Sequence, residues 1–216
     1  MNRVNYQKQL EQLIVSLGGR TPTLFLHSCC APCSSYVLEY LCPVFDITVF
    51  YYNPNISASV EYRKRAEEQK RLIATYNAEG KGHPIRVIEG DYEPERFFTA
   101  VKGYEQCREG TERCFRCFDL RLRKTAIRAK EGGFDYFGTT LTISPLKNAA
   151  KLNEIGQALS EEYGVDWLPS DFKKKNGYQR SVELSALYEL YRQDFCGCAF
   201  SKAEREHACR NAENTL

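Results

Sequence analysis

Apolar residues recur at helical spacing near the start of the chain, at Leu10, Leu13, Ile14 and Leu17, and predict an amphipathic helix over residues 4–17 that Gly18-Gly19 ends. The pattern then changes. Thr23 to His27 reads as a short buried strand that stops at Ser28-Cys29-Cys30-Ala31-Pro32-Cys33, and Pro32 suits the first turn of a helix running to about Cys42. Asp46 to Tyr52 reads as a second strand, closed by the turn signal Asn53-Pro54-Asn55. A charged helix is predicted from Ser59 to Ala78, and Ile85 to Gly90 reads as a third strand leading to Asp91-Tyr92. Helices are predicted over 94–103, 115–131, 148–163 and 178–192, with short strands at Tyr136–Gly138, before Thr139-Thr140, and at Asp166–Leu168. Ser201 is placed as the cap of a terminal helix.

Strands alternating with helices predict an α/β fold: a mainly parallel open sheet flanked by helices, with additional helices carrying a Cys-x-x-Cys pair. The 216 residues suit a single domain of that kind. Polar or unusual residues follow each strand: Cys29, Cys30 and Cys33; Asn53 and Asn55; Asp91 and Tyr92; Thr139 and Thr140; then Asp171. Open α/β sheets bind ligands at the carboxyl ends of their strands, so five distant segments are expected to converge on one site.

Ten cysteines in 216 residues fall short of a disulfide scaffold, and hydrophobic residues at 43% are enough for a globular core without one. Met1 to Leu17 does not read as a secretion signal, and no apolar run approaches the ~20 residues that span a bilayer. A reducing cytoplasmic location is therefore expected, where clustered thiols serve metal or redox chemistry. Net charge is only +2, yet seven basic residues lie between Arg113 and Lys130 against Asp119 alone, and Lys173-Lys174-Lys175 form a second run. Two basic patches on a near-neutral chain suit a local footprint for phosphate, although solvated helix faces give the same pattern.

The cysteines form three tight groups: Cys29-Cys30-x-x-Cys33, Cys114-x-x-Cys117 and Cys196-x-Cys198. Thiolates at short spacings bind zinc or iron–sulfur clusters. Neighbouring side chains in an extended segment point apart, so Cys29 and Cys30 are expected to serve different centres. Cys196-Gly197-Cys198 would close a small, strained, easily reduced ring, which suits a redox relay. Cys42, Cys107 and Cys209 read as core or incidental residues. His27 reads equally as a ligand or as a satisfied core histidine.

The segments "HSCCAPCSSY", "FYYNPNI…EYRKR", "EGDYEPERF", "RCFRCFDLRL", "GTTLTISPLKN", "DFKKKNGYQRSVELS" and "YRQDFCGCAFS" resemble the signature blocks of the QueH family of epoxyqueuosine reductases over residues 24 to about 201. That resemblance implies a sheet related to PP-loop nucleotide-binding folds and a [4Fe–4S] cluster with an adjacent mononuclear iron. It also implies a tRNA substrate whose wobble-position epoxide is reduced to give queuosine. The cysteine groups are read to fit it: Cys29, Cys114 and Cys117 as three cluster ligands, Cys30 with Cys33 beside a second iron, and Cys196 and Cys198 as a pair suited to a redox relay. In some family members an acidic residue stands where this chain has Cys33, which leaves that ligand open. Tyr52, Asp91 and Tyr92 are candidate proton donors, and Arg113, Arg116, Arg121, Lys124, Arg128 and Lys173 to Lys175 are candidate RNA contacts, with Arg121, Lys124 and Arg128 on one helical face. The electron donor is unnamed and no membrane partner is expected. Two rivals are a tRNA-thiolating PP-loop enzyme, although "HSCCAPCS" lacks the glycines of a phosphate loop, and an RNA-binding module held by structural zinc.

Overall fold

In the computed structural model, which describes residues 4–213, helix α1 (Tyr6–Ser16) leads into β1 (Thr23–Ser28), α2 (Ala31–Leu41), β2 (Asp46–Tyr51), α3 (Ser59–Ala78) and β3 (Arg86–Glu89). Helices α4 (Pro94–Ala100) and α5 (Glu112–Glu131) precede β4 (Tyr136–Thr139), a 3-10 turn (Thr140–Ile143) and α6 (Ala149–Tyr163). The chain ends with β5 (Asp166–Trp167), α7 (Gly177–Leu187) and α8 (Ala199–Glu213). Among the described residues, no helix is long and apolar enough to cross a membrane.

The strands form one sheet in the order β3-β2-β1-β4-β5, with every pairing parallel. The register sets Ser28 beside Tyr51 and His27 beside Thr139, so the carboxyl ends of the three central strands lie level. The chain departs from β1 toward β2 on one side and reaches β4 on the other. The β1–β4 boundary is thus the switch point where loops diverge and leave a crevice.

The pleat divides the core. Leu24, Leu26, Ile47 and Val49 pack against α2 and α3 through Val37, Leu38, Leu41, Leu72 and Ile73. Phe25, Phe50 and Phe137 turn to the other face, against Phe118, Leu122 and Ala126 of α5 and Leu152 and Leu159 of α6. Burial on both faces explains why β1 and β2 read as near-continuous apolar runs.

Two expectations change. The helix expected over 178–192 ends at Leu187. Tyr188 N–H bonds Leu184 O, and Leu190 N–H bonds Ser185 O at 2.8 Å, closing the helix over Glu189 at φ +49°. Glycine usually takes that left-handed position, so the sequence carries no stop signal there. Ser201 lies inside α8 rather than capping it, and its hydroxyl accepts the Cys196 N–H at 3.1 Å.

Close packing is unforgiving at Gly156 of α6. A Cβ there would lie 2.3 Å from the Trp167 indole, which is itself fixed by an Nε1–H bond to Asn153 Oδ1 at 3.0 Å. Gly156→Ala is expected to destabilise the fold by about 1–3 kcal/mol despite alanine's helix preference. Urea denaturation followed by the fluorescence of Trp167, the single tryptophan, checks it.

Candidate metal centre and redox pair

Cys29 is the first residue beyond β1. Cys30 keeps extended backbone (φ −175°, ψ 161°) and sits at the N-cap of α2, with Cys33 in the first turn. The turn into the helix gathers the three sulfurs within 4.8 Å of one another, and the Cys29 and Cys30 Sγ atoms are 3.8 Å apart. The divergence expected of neighbouring extended residues is therefore lost where the backbone turns. Contacts from Cys30 and then Cys33 hold the Cys29 thiol well below the usual cysteine range. The same sharing pushes Cys30 up to about 12 and raises Cys33. Cys29 also meets Thr140, beyond β4, with Sγ 3.6 Å from Oγ1.

Cys114 and Cys117 lie in the first turns of α5. The Gly110 N–H points at Cys114 Sγ at 3.1 Å. Cys117 is buried, and burial pushes its thiol up to about 11. It packs with Cys198, Phe97 and Val101. The turn carrying Cys196 and Cys198 is pinned to α3 and to the loop that precedes it. Arg65 Nη1 donates to Cys196 O at 3.1 Å, Ser57 N–H to Gly197 O at 3.1 Å, and Ala199 N–H to Ser57 Oγ at 2.9 Å. The two thiols share a hydrogen bond that pulls Cys196 down to about 6 and raises Cys198. All ten cysteines are free thiols.

The groups meet at two adjoining cavities. The larger, about 170 Å³, is bordered by Cys29, Cys33, Asn53, Arg65, Tyr178 and Phe195. The smaller, about 20 Å³, is bordered by Asn55, Cys114, Cys117, Phe118 and Cys198. Glu109, Arg121, Leu146, Lys147 and Cys196 border both.

Two cations stand in this wall of sulfur. Arg121 is 1% exposed. Its Nη2 donates to Asn53 Oδ1 at 2.6 Å, its Nε to His27 Nε2 at 3.3 Å, and Nη1 lies 3.9 Å from Cys117 Sγ. Among the described residues, neither Arg121 nor Lys147 forms an ion pair with a carboxylate. Burial works against both charges, but the sulfurs of Cys117, Cys29 and Cys196 outweigh it at Arg121, and those of Cys196, Cys29 and Cys33 at Lys147, so both are raised. A buried cation needs a counter-charge, and here that charge is sulfur. His27 resolves as a satisfied core residue. Burial and then Arg121 hold it down to about 3, and its Nδ1 meets Thr139 Oγ1 at 2.8 Å.

The family profile described as "Epoxyqueuosine reductase QueH" matches residues 24–204. The epoxyqueuosine reductase QueH of Streptococcus pyogenes serotype M1 is 43% identical over 92% of this chain and 78% of its own length. That of Thermotoga maritima is 38% identical over 85% of this chain and 92% of its own. The chain belongs to the QueH family. A U34-tRNA thiolase, NcsA from Methanococcus maripaludis with its [4Fe–4S] cluster, aligns with a TM-score of 0.49 at 13% identity, covering 96% of this chain and 73% of that one, a likeness too slight to speak to function.

With the QueH blocks mapped onto the fold, the proposed proton donors fall away from the cavities. Tyr52 is buried, stacked on Phe50, with its hydroxyl on Glu93 at 3.1 Å. Tyr92 donates to the Ile56 carbonyl at 2.9 Å, and Asp91 follows the edge strand β3, exposed. None of the three borders either cavity. The basic helix divides too. Arg113 and Arg121 are buried, Arg113 bonding Glu105 O at 2.9 Å and pairing with Glu204, so neither belongs to a surface patch. Arg116 and Arg128 are exposed and Lys124 is half-buried. Lys173 donates to Thr142 O and pairs with Asp171, and Lys175 pairs with Glu11, so among the described residues Lys174 is the exposed lysine of that run without a carboxylate partner. Sequence reasoning placed Thr140 among the strand-end residues but did not single out Lys147, Glu109 or Arg65. Lys147 lies within "GTTLTISPLKN" and Arg65 within "EYRKR", so the family blocks carried the only signal.

Gly197 sits at φ +114°, where a Cβ would lie 2.9 Å from Ile56 Cγ1 and 3.2 Å from Arg65 Nη1. Gly197→Ala is expected to strain the turn by about 1–3 kcal/mol and to free it from Arg65. Faster alkylation of Cys196 by iodoacetamide, with the helical circular dichroism unchanged, checks it.

Proposed function

We propose that this chain is an epoxyqueuosine reductase: it removes the epoxide oxygen of epoxyqueuosine at the wobble position of tRNA, giving queuosine. The observation that carries the reading is the pair of cations, Arg121 and Lys147, facing sulfur without a carboxylate. Such a wall suits an anionic thiolate–iron centre, whereas an RNA-binding module with structural zinc has no need of redox-active thiols beside it. Cys29, Cys114 and Cys117 would hold a [4Fe–4S] cluster, with Cys30 and Cys33 at a neighbouring iron. The cluster and iron supply low-potential electrons and a Lewis acid for the epoxide oxygen.

The protein's own groups do the rest. Arg121 holds the ends of β1 and β2 together through His27 and Asn53, which fixes Cys29 against the rim. Tyr178 and Phe195 give the larger cavity aromatic walls, suited to a base already splayed from an anticodon loop. Lys173 and Lys147 border a further open cleft beside it, which extends positive charge toward the phosphates, with Lys174, Arg116, Lys124 and Arg128 as outlying contacts. Cys196 and Cys198 relay reducing equivalents from an external donor. The reaction belongs in the cytoplasm, where tRNA is modified.

Anaerobic purification is expected to yield a brown protein containing iron and sulfide that converts epoxyqueuosine in tRNA to queuosine. Cys29→Ser, Cys114→Ser and Cys117→Ser are each expected to lose most of that iron and all measurable turnover. Zinc without iron, or iron-loaded protein inert on this tRNA, would overturn the reading. Neutralising Lys173, Lys174 and Lys175 together to glutamine is expected to weaken tRNA binding and flatten the slope of log affinity against log salt by about 1–2, measured by filter binding.

A further inference from the structure

The redox turn is wired to one carboxylate. Ser201 is 3% exposed, and its hydroxyl accepts the Cys196 N–H at 3.1 Å and donates to Glu109 Oε2 at 3.0 Å. Its own N–H points at Cys198 Sγ at 3.3 Å. Glu109 borders the cavity beside Cys29 and also the cavity beside Cys114, Cys117 and Cys198. Among the described residues the other carboxylate on either cavity is Asp194, which is largely exposed and lies 3.6 Å from Arg205.

We infer that Glu109 is the proton relay between the Cys196–Cys198 dithiol and the substrate cavity. The inference rests on the reading that this dithiol supplies the reducing equivalents. Oxidising the two thiols forms one S–S bond and releases two electrons and two protons. Removing an epoxide oxygen breaks two C–O bonds, forms one C=C bond, and takes up two electrons and two protons as water leaves. One dithiol therefore balances one epoxide in both electrons and protons. Electrons can cross a metal centre, but protons need a titratable carrier that reaches both sides.

The groups facing Glu109 leave it that task. Arg113 and Arg121 of α5 remain protonated throughout. Lys147, before α6, borders both cavities, but among the described residues its side chain makes no hydrogen bond to the cysteine turn. Cys114 and Cys117 of α5 are the proposed iron ligands. From α8, Glu204 is committed to Arg113 and to the Glu109 N–H at 3.2 Å. Ser201 bridges Glu109 to the turn, its hydroxyl on the Cys196 N–H and its N–H on Cys198 Sγ.

The test uses iron-loaded protein, reduced, freed of reductant and mixed anaerobically with epoxyqueuosine-containing tRNA for one turnover. Queuosine is measured by mass spectrometry of the nucleosides, and the Cys196–Cys198 disulfide by alkylation and peptide mapping. The wild-type chain is expected to form one disulfide per queuosine. Glu109→Gln, which still accepts from Ser201, is expected to slow both together by about 100-fold, within the ~10²–10⁴ range of general acid–base catalysis, with iron content and tRNA binding kept. Glu109→Ala is expected to be equally slow and to recover on addition of acetate, a rescue that a purely structural defect would not show. Glu109→Gln turning over within twofold of wild type would overturn the relay. A Cys196→Ser/Cys198→Ser chain forming queuosine normally in this turnover would instead overturn the dithiol reading beneath it.

Discussion

The structure turns on a buried guanidinium that faces sulfur. Arg121 reaches from α5 to the ends of β1 and β2, touching His27, Asn53 and the edge of Cys117. Removing such a charge from water costs several kcal/mol unless something answers it. Nearly every other buried or half-buried arginine in the protein meets a carboxylate, Arg65 through Glu61 and Arg113 through Glu204. Arg121 meets none. The arrangement makes sense when negative charge is gathered on the thiols around it, so the same contacts that close the upper rim of the sheet also prepare the site for an anionic centre.

The parallel sheet does the gathering. Because β1, β2 and β4 end level, the residues after them, Cys29, Asn53 and Thr140, arrive together although more than 100 positions separate the first from the last. Helix α5 then brings Cys114 and Cys117 across that rim, and the C-terminal turn lays Cys196 and Cys198 against it. Three hydrogen bonds hold that turn, one from Arg65 of α3 and two with Ser57 in the loop after β2. The Cys196–Cys198 pair is thus part of the cavity wall rather than a mobile tail.

Charge is partitioned by depth. The basic run of α5 splits into buried arginines that serve the fold and exposed ones that reach solvent, Arg116 beside Tyr104 and Arg128 beside Glu131, which is how a chain of net charge +2 keeps local positive surface. Glu109 is the counterpart among the acids: most carboxylates pair at the surface, whereas this one borders both cavities and is tied to the cysteine turn by a buried serine.

The sequence by itself determined the α/β alternation, the parallel sheet and the three thiol groups, because strand and helix periodicities and cysteine spacing are local properties. It also marked the family, through seven ordered blocks. It did not place Tyr52 beneath Phe50, end α7 at Leu187, or send Arg121 inward while Lys124 and Arg128 lie further out. Those outcomes depend on which face of a helix meets the sheet and on hydrogen bonds between residues far apart in the chain. Nor did it show that Cys29 and Cys30 would turn their sulfurs together, since that follows from the backbone entering α2. Only the tertiary structure decided that Lys147 and Glu109 stand at the site: a single lysine or glutamate in a loop carries no periodic signal, and its role arises from the cavities it borders.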